Sequence, residues 1–117
     1  MAAGRRFSFP KKSRLLRRPD FLEVKAAGKS FADGPLAASF RARQGAPRVG
    51  LTVSSKVGSA VVRNRVKRRL REAVRHELEG LPEVDLVLVA RASAVEATVP
   101  ALRAWLRKAG ARMRRER

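Results

Sequence analysis

The stretch that decides the fold covers residues 48–90 and reads RVGLTVSSKVGSAVVRNRVKRRLREAVRHELEGLPEVDLVLVA. In its first seven residues, RVGLTVS, apolar side chains alternate with small or polar ones, as in a strand with one buried face. Its last seven, VDLVLVA, are almost continuously apolar and predict a central strand. Between them, Ser59 suits a helix N-cap and Gly80 a helix end, so a helix is predicted over about residues 60–79.

The flanking segments add elements on both sides of this unit. Turn and cap residues predict a short helix over residues 19–27. The segment PLAASFRA alternates like a strand, and the turn residues in QGAPR predict that it pairs with RVGLTVS as an antiparallel hairpin. Thr98 can cap a final helix whose apolar residues recur at spacings of three and four. The order helix, strand, strand, helix, strand, helix predicts two layers, with helices over a sheet.

The composition indicates a basic protein of one domain. The chain has 117 residues, with 28 Lys and Arg against 10 Asp and Glu, and a formal net charge of +18. That length suits a single domain with a modest core. Because the chain has so few acids to offset its cations, a polyanion is the expected partner.

The sequence also argues against several classes of protein. The absence of cysteine removes disulfides, thiolate nucleophiles and thiolate metal sites, and it fits a cytoplasmic location. No stretch reaches the roughly 18 apolar residues that a membrane span needs, so no membrane partner is expected. Residues 1–13 are basic and lack an apolar period. They are predicted to be a flexible N-terminal arm, and residues 14–117 a single domain.

The predicted helix over residues 60–79 carries an unusual density of positive charge. Between Arg63 and Arg75, seven of thirteen positions are Arg or Lys, and Glu72 is the single acid. Charge runs are usually solvated helix faces, but such faces interleave acids three or four residues away. Cations in the first two turns also oppose the helix dipole, at a cost of roughly 0.3–1 kcal/mol each. Phosphates would reverse both penalties, so a nucleic acid is the predicted partner.

The residues in and before this helix resemble a known family. Residues 50–75, GLTVSSKVGSAVVRNRVKRRLREAVR, are similar to the signature of the bacterial ribonuclease P protein subunit, in which a strand ending in V-S-x-K-x-G leads into an R-N-R-x-K-R-x-x-R-E helix. The resemblance implies an α/β fold, an α+β two-layer sandwich like the second domain of ribosomal protein S5, with helices packed on one face of a mixed central sheet. It also implies a left-handed βαβ crossover between parallel strands, against the usual right-handed preference.

The family assists a catalytic RNA that removes the 5′ leader of precursor tRNA, with Mg²⁺ bound mainly by the RNA. The resemblance therefore implies the protein subunit of a ribonucleoprotein endonuclease, paired 1:1 with its RNA. In that role the chain would bind the leader, lower the Mg²⁺ requirement and broaden substrate use, with no DNA partner. The residues implied to bind RNA are Arg63, Asn64, Arg65, Lys67, Arg68, Arg71 and Lys56.

The family also has a cleft for the leader, between its first helix and the open face of the sheet. Strand alternation predicts that this open face contains Ala37, Ser39, Thr52 and Ser54. The residues implied to form the leader cleft are Phe21, Lys25, Ser39 and Thr52. Lys25 and Ser39 stand where the family often has aromatic residues, so the cleft is expected to bind more by charge than by stacking. Phe21 is equally consistent with base stacking and with a place in the core.

Three other functions compete with this interpretation. A structural ribosomal RNA-binding protein is the main alternative, because such proteins share the charge, size and layout. A helix-turn-helix DNA reader fits less well, since strands frame the basic helix. A protein-only nuclease needs gathered carboxylates or an activated histidine. His76 is expected to be solvated or locally bonded and the acids to be cap and surface residues, so no catalytic residue and no metal site is assigned.

Overall fold

The computed structural model describes residues 8–117 and contains three α-helices and a four-stranded sheet. In chain order the elements are α1 (Arg18–Ala27), β1 (Lys29–Asp33), β2 (Leu36–Ala42), β3 (Arg48–Thr52), α2 (Ala60–Glu77), β4 (Val84–Ala90) and α3 (Val99–Glu116). Short 3₁₀ turns occupy Lys11–Ser13, Leu78–Gly80 and Ala92–Glu96. All six elements predicted from the sequence are present, and β1 is an additional strand.

The order of the strands corrects one prediction. They lie in the order β1-β2-β4-β3, with β4 in the interior as predicted. β4 is antiparallel to β2 and parallel to β3. The predicted hairpin between β2 and β3 is therefore wrong, because β4 lies between them. β4 is nearly all apolar and is buried on both faces, so a central position removes the most apolar surface from water.

The hairpin of the sheet joins β1 to β2 instead. Asp33 pairs with Leu36, which leaves Gly34 and Pro35 as a two-residue connection. Gly34 has a φ of 56°, a left-handed conformation that glycine adopts without steric cost. An Asp-Gly pair is a strong hairpin signal, but β1 itself, KSFAD, has too little apolar alternation to be predicted as a strand.

Helix α2 connects the parallel strands β3 and β4. Parallel neighbours need a crossover of this kind, because the end of one strand and the start of the next lie at opposite ends of the sheet. The N-terminus of α2 therefore follows the carboxyl end of β3 after a short loop. The left-handed sense of the crossover stays a prediction from the resemblance.

The two faces of the sheet are covered differently. Helices α2 and α3 pack on one face, where Phe40 and Leu88 meet Leu70 in the main core. Helix α1 lies on the opposite face, where Val24 packs with Val87. The expectation of helices on one face therefore holds for the two long helices, whereas α1 covers only part of the other face.

The predicted apolar stripes and caps define the two long helices. Their buried apolar side chains are Val66, Leu70, Ala73, Val74, Leu102, Trp105, Leu106, Ala109 and Met113. The Ser59 hydroxyl accepts a hydrogen bond from the Val62 amide at 3.4 Å, and the Thr98 hydroxyl accepts one from the Ala101 amide at 3.2 Å. Both predicted N-caps are confirmed, and each satisfies an amide that the helix itself leaves without a partner.

The segment before α1 is packed rather than extended into solvent. Phe9 is 8% exposed and belongs to the main core, and Ser13 is buried as well. The Leu15 amide donates to the Val49 carbonyl of β3 at 3.0 Å. The prediction of a flexible arm is therefore wrong for residues 9–13, while residues 1–7 lie outside the described part of the chain. A single buried Phe among basic residues creates no period, so the sequence did not reveal this packing.

Candidate nucleic-acid interface

From Arg63 to Arg71, the cations of α2 have no acidic partner among residues 8–117. Arg65, Arg68 and Arg71 are exposed, and Lys67 is half-buried. Helical spacing brings most of them to the side opposite the buried stripe. The basic face is defined here as Lys56, Arg63, Asn64, Arg65, Lys67, Arg68 and Arg71. Within residues 8–117, no cation of this face lies within ion-pair distance of an acid.

The N-terminus of α2 adds to this positive potential. Its first turn contains no acidic residue, although acids there would be favoured by the dipole. The side-chain Nε of Arg63 is buried and has no hydrogen-bond partner among the described residues. An unpaired buried donor costs free energy unless a partner arrives. A bound phosphate would relieve the cations, the dipole and this nitrogen together.

Two other cations of α2 are engaged by the protein itself. The Arg69 guanidinium donates to the carbonyls of Ala97 at 2.8 Å and Val95 at 3.0 Å, which ties α2 to the turn before α3. Arg75 donates to Glu72 at 2.8 and 2.9 Å. The basic face therefore ends at Arg71, before the last turns of the helix.

His76 is locally bonded, as predicted. Its Nε2 lies 2.9 Å from the Glu72 carboxylate, which also accepts from Arg75. Hydrogen bonds from Arg75 and then His76 lower the pKa of Glu72 from 4.5 to about 2. The same contact raises the pKa of Arg75. The histidine thus contacts the surface ion pair between Arg75 and Glu72.

Arginines from β2, from the loop after it and from the start of β3 surround a buried acid. Asp85 is 2% exposed and accepts two hydrogen bonds from Arg48, at 2.8 and 2.9 Å. Arg43 and Arg41 approach the same carboxylate at 3.5 and 3.7 Å. The hydrogen bond to Asp85 raises the pKa of Arg48. The expectation that Asp85 is a solvated surface acid is therefore wrong, because its carboxylate is buried in the sheet and three arginines surround it.

Helix α3 is also basic, but its arginines are partly neutralised. Arg103 and Arg107 share the Glu77 carboxylate, at 2.8 and 2.9 Å. Arg112 pairs with Glu116 at 2.8 Å, and its guanidinium carbon lies 4.2 Å from the centre of the Phe31 ring. The protein thus places acids beside Arg48, Arg103, Arg107 and Arg112, whereas the cations of the basic face have no acidic partner among the described residues. Such an uncompensated cluster of cations gives the basic face a positive potential that suits a polyanion.

A cleft lies beside α1 on the second face of the sheet. The structure brings Phe21, Lys25 and Thr52 together in its lining, around a space of about 310 Å³. The Phe21 ring rests directly on Gly50, where an added Cβ would lie 2.5 Å from the ring carbon Cζ. Phe21 is half-buried, so its ring both packs on the sheet and contributes a surface to the cleft.

Ser39 does not share that cleft. It is 8% exposed, and its hydroxyl lies 2.8 Å from the Ser30 hydroxyl of β1. Ser39 lies on the same face of β2 as Ala37, but it is buried and paired with Ser30 of the additional strand β1, so the structure does not bring it to the lining of this cleft. Ala37, Thr52 and Ser54 are half-buried, so the open part of this face is smaller than the strand alternation indicates.

Several lining residues of the cleft were missed from the sequence. Leu16 and Leu22 are exposed leucines on its wall, and Arg18 lies beside them. The signal that could have revealed them is the apolar pair Phe21 and Leu22 at adjacent positions of a short helix, since adjacent residues cannot both face the core.

The comparisons with known proteins agree with this geometry. The model of the Ribonuclease P family matches residues 9–114. The chain belongs to this family. A ribonuclease P protein component from Gluconacetobacter diazotrophicus is 45% identical over 107 residues, covering 85% of this chain and 92% of the relative. One from Xanthomonas campestris pv. campestris is 41% identical over 108 residues, covering 88% and 73%.

The fold matches solved structures of the same family. The ribonuclease P protein from Thermotoga maritima superposes with a TM-score of 0.74 at 30% identity, covering 85% of this chain and 96% of that protein. As a ribonuclease P protein component, the chain is an RNA-binding subunit of a ribonucleoprotein that processes tRNA, and its partner is the ribonuclease P RNA. The family match does not favour the alternative of a structural ribosomal protein.

Within residues 8–117, no helix is both long and apolar enough to cross a membrane. The same residues contain no group of three or more His, Cys, Asp or Glu side chains placed to hold a metal ion.

Proposed function

We propose that the basic face of α2 docks on the ribonuclease P RNA while the cleft beside α1 holds the 5′ leader of precursor tRNA. In this arrangement the RNA subunit performs the hydrolysis, and one protein pairs with one RNA. The cytoplasmic location expected from the sequence belongs to the same proposal. The observation that carries it is the uncompensated charge of the basic face, in a protein that pairs many of its other arginines with its own acids.

The chemistry of the basic face suits a folded RNA. Arginine presents several donors in a planar fork that bonds phosphate in a bidentate way. Arg65, Arg68 and Arg71 are exposed, so their guanidinium groups can be reached without a change in the fold. Asn64 is exposed beside them and adds a donor and an acceptor with defined directions, which a point charge lacks.

The cleft suits a single strand. The exposed part of the Phe21 ring can stack on any base, at roughly 1–3 kcal/mol per base. Arg18 and Lys25 on the rim can follow the phosphates of the strand. With one aromatic ring in the cleft, charge supplies more of the binding than stacking does, and the preference for particular leader sequences is expected to be weak.

Two acids of this chain, Glu77 and Asp85, are already paired with arginines and do not suit a magnesium ion. Asp85 is occupied by Arg48, Arg43 and Arg41, and Glu77 by Arg103 and Arg107. Mg²⁺ prefers oxygen ligands in octahedral geometry and retains several waters, which a carboxylate surrounded by guanidinium groups does not offer. The ion that the reaction needs is therefore assigned to the RNA subunit, and the protein lowers the Mg²⁺ requirement by screening phosphate repulsion.

Reconstitution with a bacterial ribonuclease P RNA tests the proposal. The protein is expected to lower the Mg²⁺ concentration needed for leader cleavage and to tighten binding of precursor tRNA relative to mature tRNA. Equal affinity for the two tRNAs would rule out the leader cleft. A ribosomal RNA fragment serves as competitor, and preferential binding to that fragment would contradict the assignment of the basic face to ribonuclease P RNA.

A further inference from the structure

A groove runs along the outer edge of β3, between the segment before α1 and helix α2. Its apolar floor includes Phe9, Leu15 and Leu51, and its volume is about 200 Å³. The segment before α1 pairs with the edge of β3 at one point, where the Leu15 amide donates to the Val49 carbonyl. Leu16 then turns outward and is 56% exposed on the wall of the groove.

The rim of this groove is cationic. It includes Arg14, Lys67 and Arg71, and none of the three lies within ion-pair distance of an acid among the described residues. Arg14 is held in place, because its Nε donates to the Phe9 carbonyl at 3.0 Å and its guanidinium carbon lies 4.9 Å from the centre of the Phe9 ring. The groove therefore combines a fixed cation with an apolar surface.

This combination restricts the occupant. A free phosphate would contact the cations but gain nothing from the apolar floor. An apolar peptide would cover the floor but bury three cations without a counter-charge, which costs free energy. An unpaired nucleotide has both an apolar base and an anionic phosphate, and so it matches the floor and the rim together.

We propose that the groove takes one unstacked nucleotide of the ribonuclease P RNA, with its base on the floor and its phosphates on Arg14, Lys67 and Arg71. This inference rests on the proposed docking of the basic face. Lys67 and Arg71 belong to that face, and the groove opens between it and the Phe21 ring, which separates the groove from the leader cleft. The groove thus continues the docking surface of the RNA subunit rather than the path of the leader.

The test compares Arg14→Gln with Arg17→Gln in complexes with ribonuclease P RNA and no tRNA. Arg17 is exposed, lies three residues away, and lines neither the groove nor the cleft, so the two variants lose the same charge. Arg14→Gln is expected to weaken binding about fivefold or more, as loss of a stacked base with its phosphate contact would. Arg17→Gln is expected to stay within about twofold of the unaltered protein.

Chemical probing of base edges supplies the direct evidence. At least one unpaired nucleotide of the RNA is expected to be protected by the unaltered protein and by Arg17→Gln, and to become reactive with Arg14→Gln. Because Arg14 also contacts Phe9, Leu16→Ser is a second variant. That exposed position costs little stability, and its substitution is expected to expose the same nucleotide while the melting temperature stays close to that of Arg17→Gln.

Three results would overturn the inference. Equal weakening by Arg14→Gln and Arg17→Gln, with no change in protection, would leave the groove without a role. Protection that appears only after precursor tRNA is added would indicate that the groove binds the leader and not the RNA subunit. If the unaltered protein fails to bind the RNA at all, the proposed function itself fails, and the groove with it.

Discussion

Replacing Gly50 with alanine is expected to damage the leader cleft and leave the basic face intact. The new Cβ would lie 2.5, 2.8 and 3.0 Å from three carbons of the Phe21 ring, whereas ordinary contact begins at 3.4 Å. The ring must therefore move by about 1 Å, and overpacking of this kind costs roughly 1–3 kcal/mol. Because Gly50 lies on the α1 side of β3, the cations of α2 should keep their positions.

Two measurements on Gly50→Ala test this reasoning. Urea unfolding is expected to show the lost stability, and the reconstituted enzyme is expected to lose part of its preference for precursor over mature tRNA. The salt dependence of binding to the RNA subunit should stay the same, because the cations of α2 keep their positions. Phe21→Leu provides the matched background, since the smaller side chain removes the clash and Gly50→Ala should then cost much less. The reasoning is refuted if Gly50→Ala costs the same with and without the ring, or if it flattens the salt dependence of binding to the RNA subunit.

Two further changes are expected to alter stability without touching the basic face. Asp85→Asn leaves Arg48 without its bidentate partner and should cost roughly 3–5 kcal/mol in urea unfolding, with an unchanged salt dependence of RNA binding. Glu72 has a folded pKa of about 2 against 4.5 without its partners, so its stabilising contribution is present above pH 4.5 and is lost as the pH falls toward 2. Glu72→Gln should therefore flatten the pH dependence of stability in that range, and an identical acid profile for the two proteins would contradict the assigned pKa.

Local signals predicted the elements of the fold but not all of their pairings. The caps at Ser59 and Thr98 and the stripes of the long helices depend on residues close in sequence, and each is confirmed. β4 lies between β2 and β3 because its apolar side chains lose the most contact with water there. That position follows from comparing all the strands of the sheet, which local sequence signals do not do. Strand β1 gave a weak signal, because it lies at an edge and needs few apolar residues.

In the candidate site, too, features that depend on neighbouring residues were predicted and long-range contacts were not. The basic face was predicted because its charges are consecutive on one helix, and they remain uncompensated in the structure. The partners of the remaining acids were not predictable, since Arg48 and Asp85 are 37 residues apart and meet only through the parallel pairing of β3 with β4. The burial of Ser39 was not predictable for a related reason, because its partner Ser30 lies on a strand that the sequence did not reveal.

The most direct measurement is the salt dependence of binding to ribonuclease P RNA for two double variants of equal charge. The first variant combines Arg65→Gln with Arg68→Gln and loses two uncompensated cations. The second combines Arg103→Gln with Arg107→Gln and loses two cations that share Glu77. The first pair is expected to lower the slope of log K against log salt by about 1.4–1.8, as two lost phosphate contacts would, while the second leaves it nearly unchanged. Equal slopes for both pairs, or a larger fall for the second, would contradict the assignment of the α2 basic face to RNA.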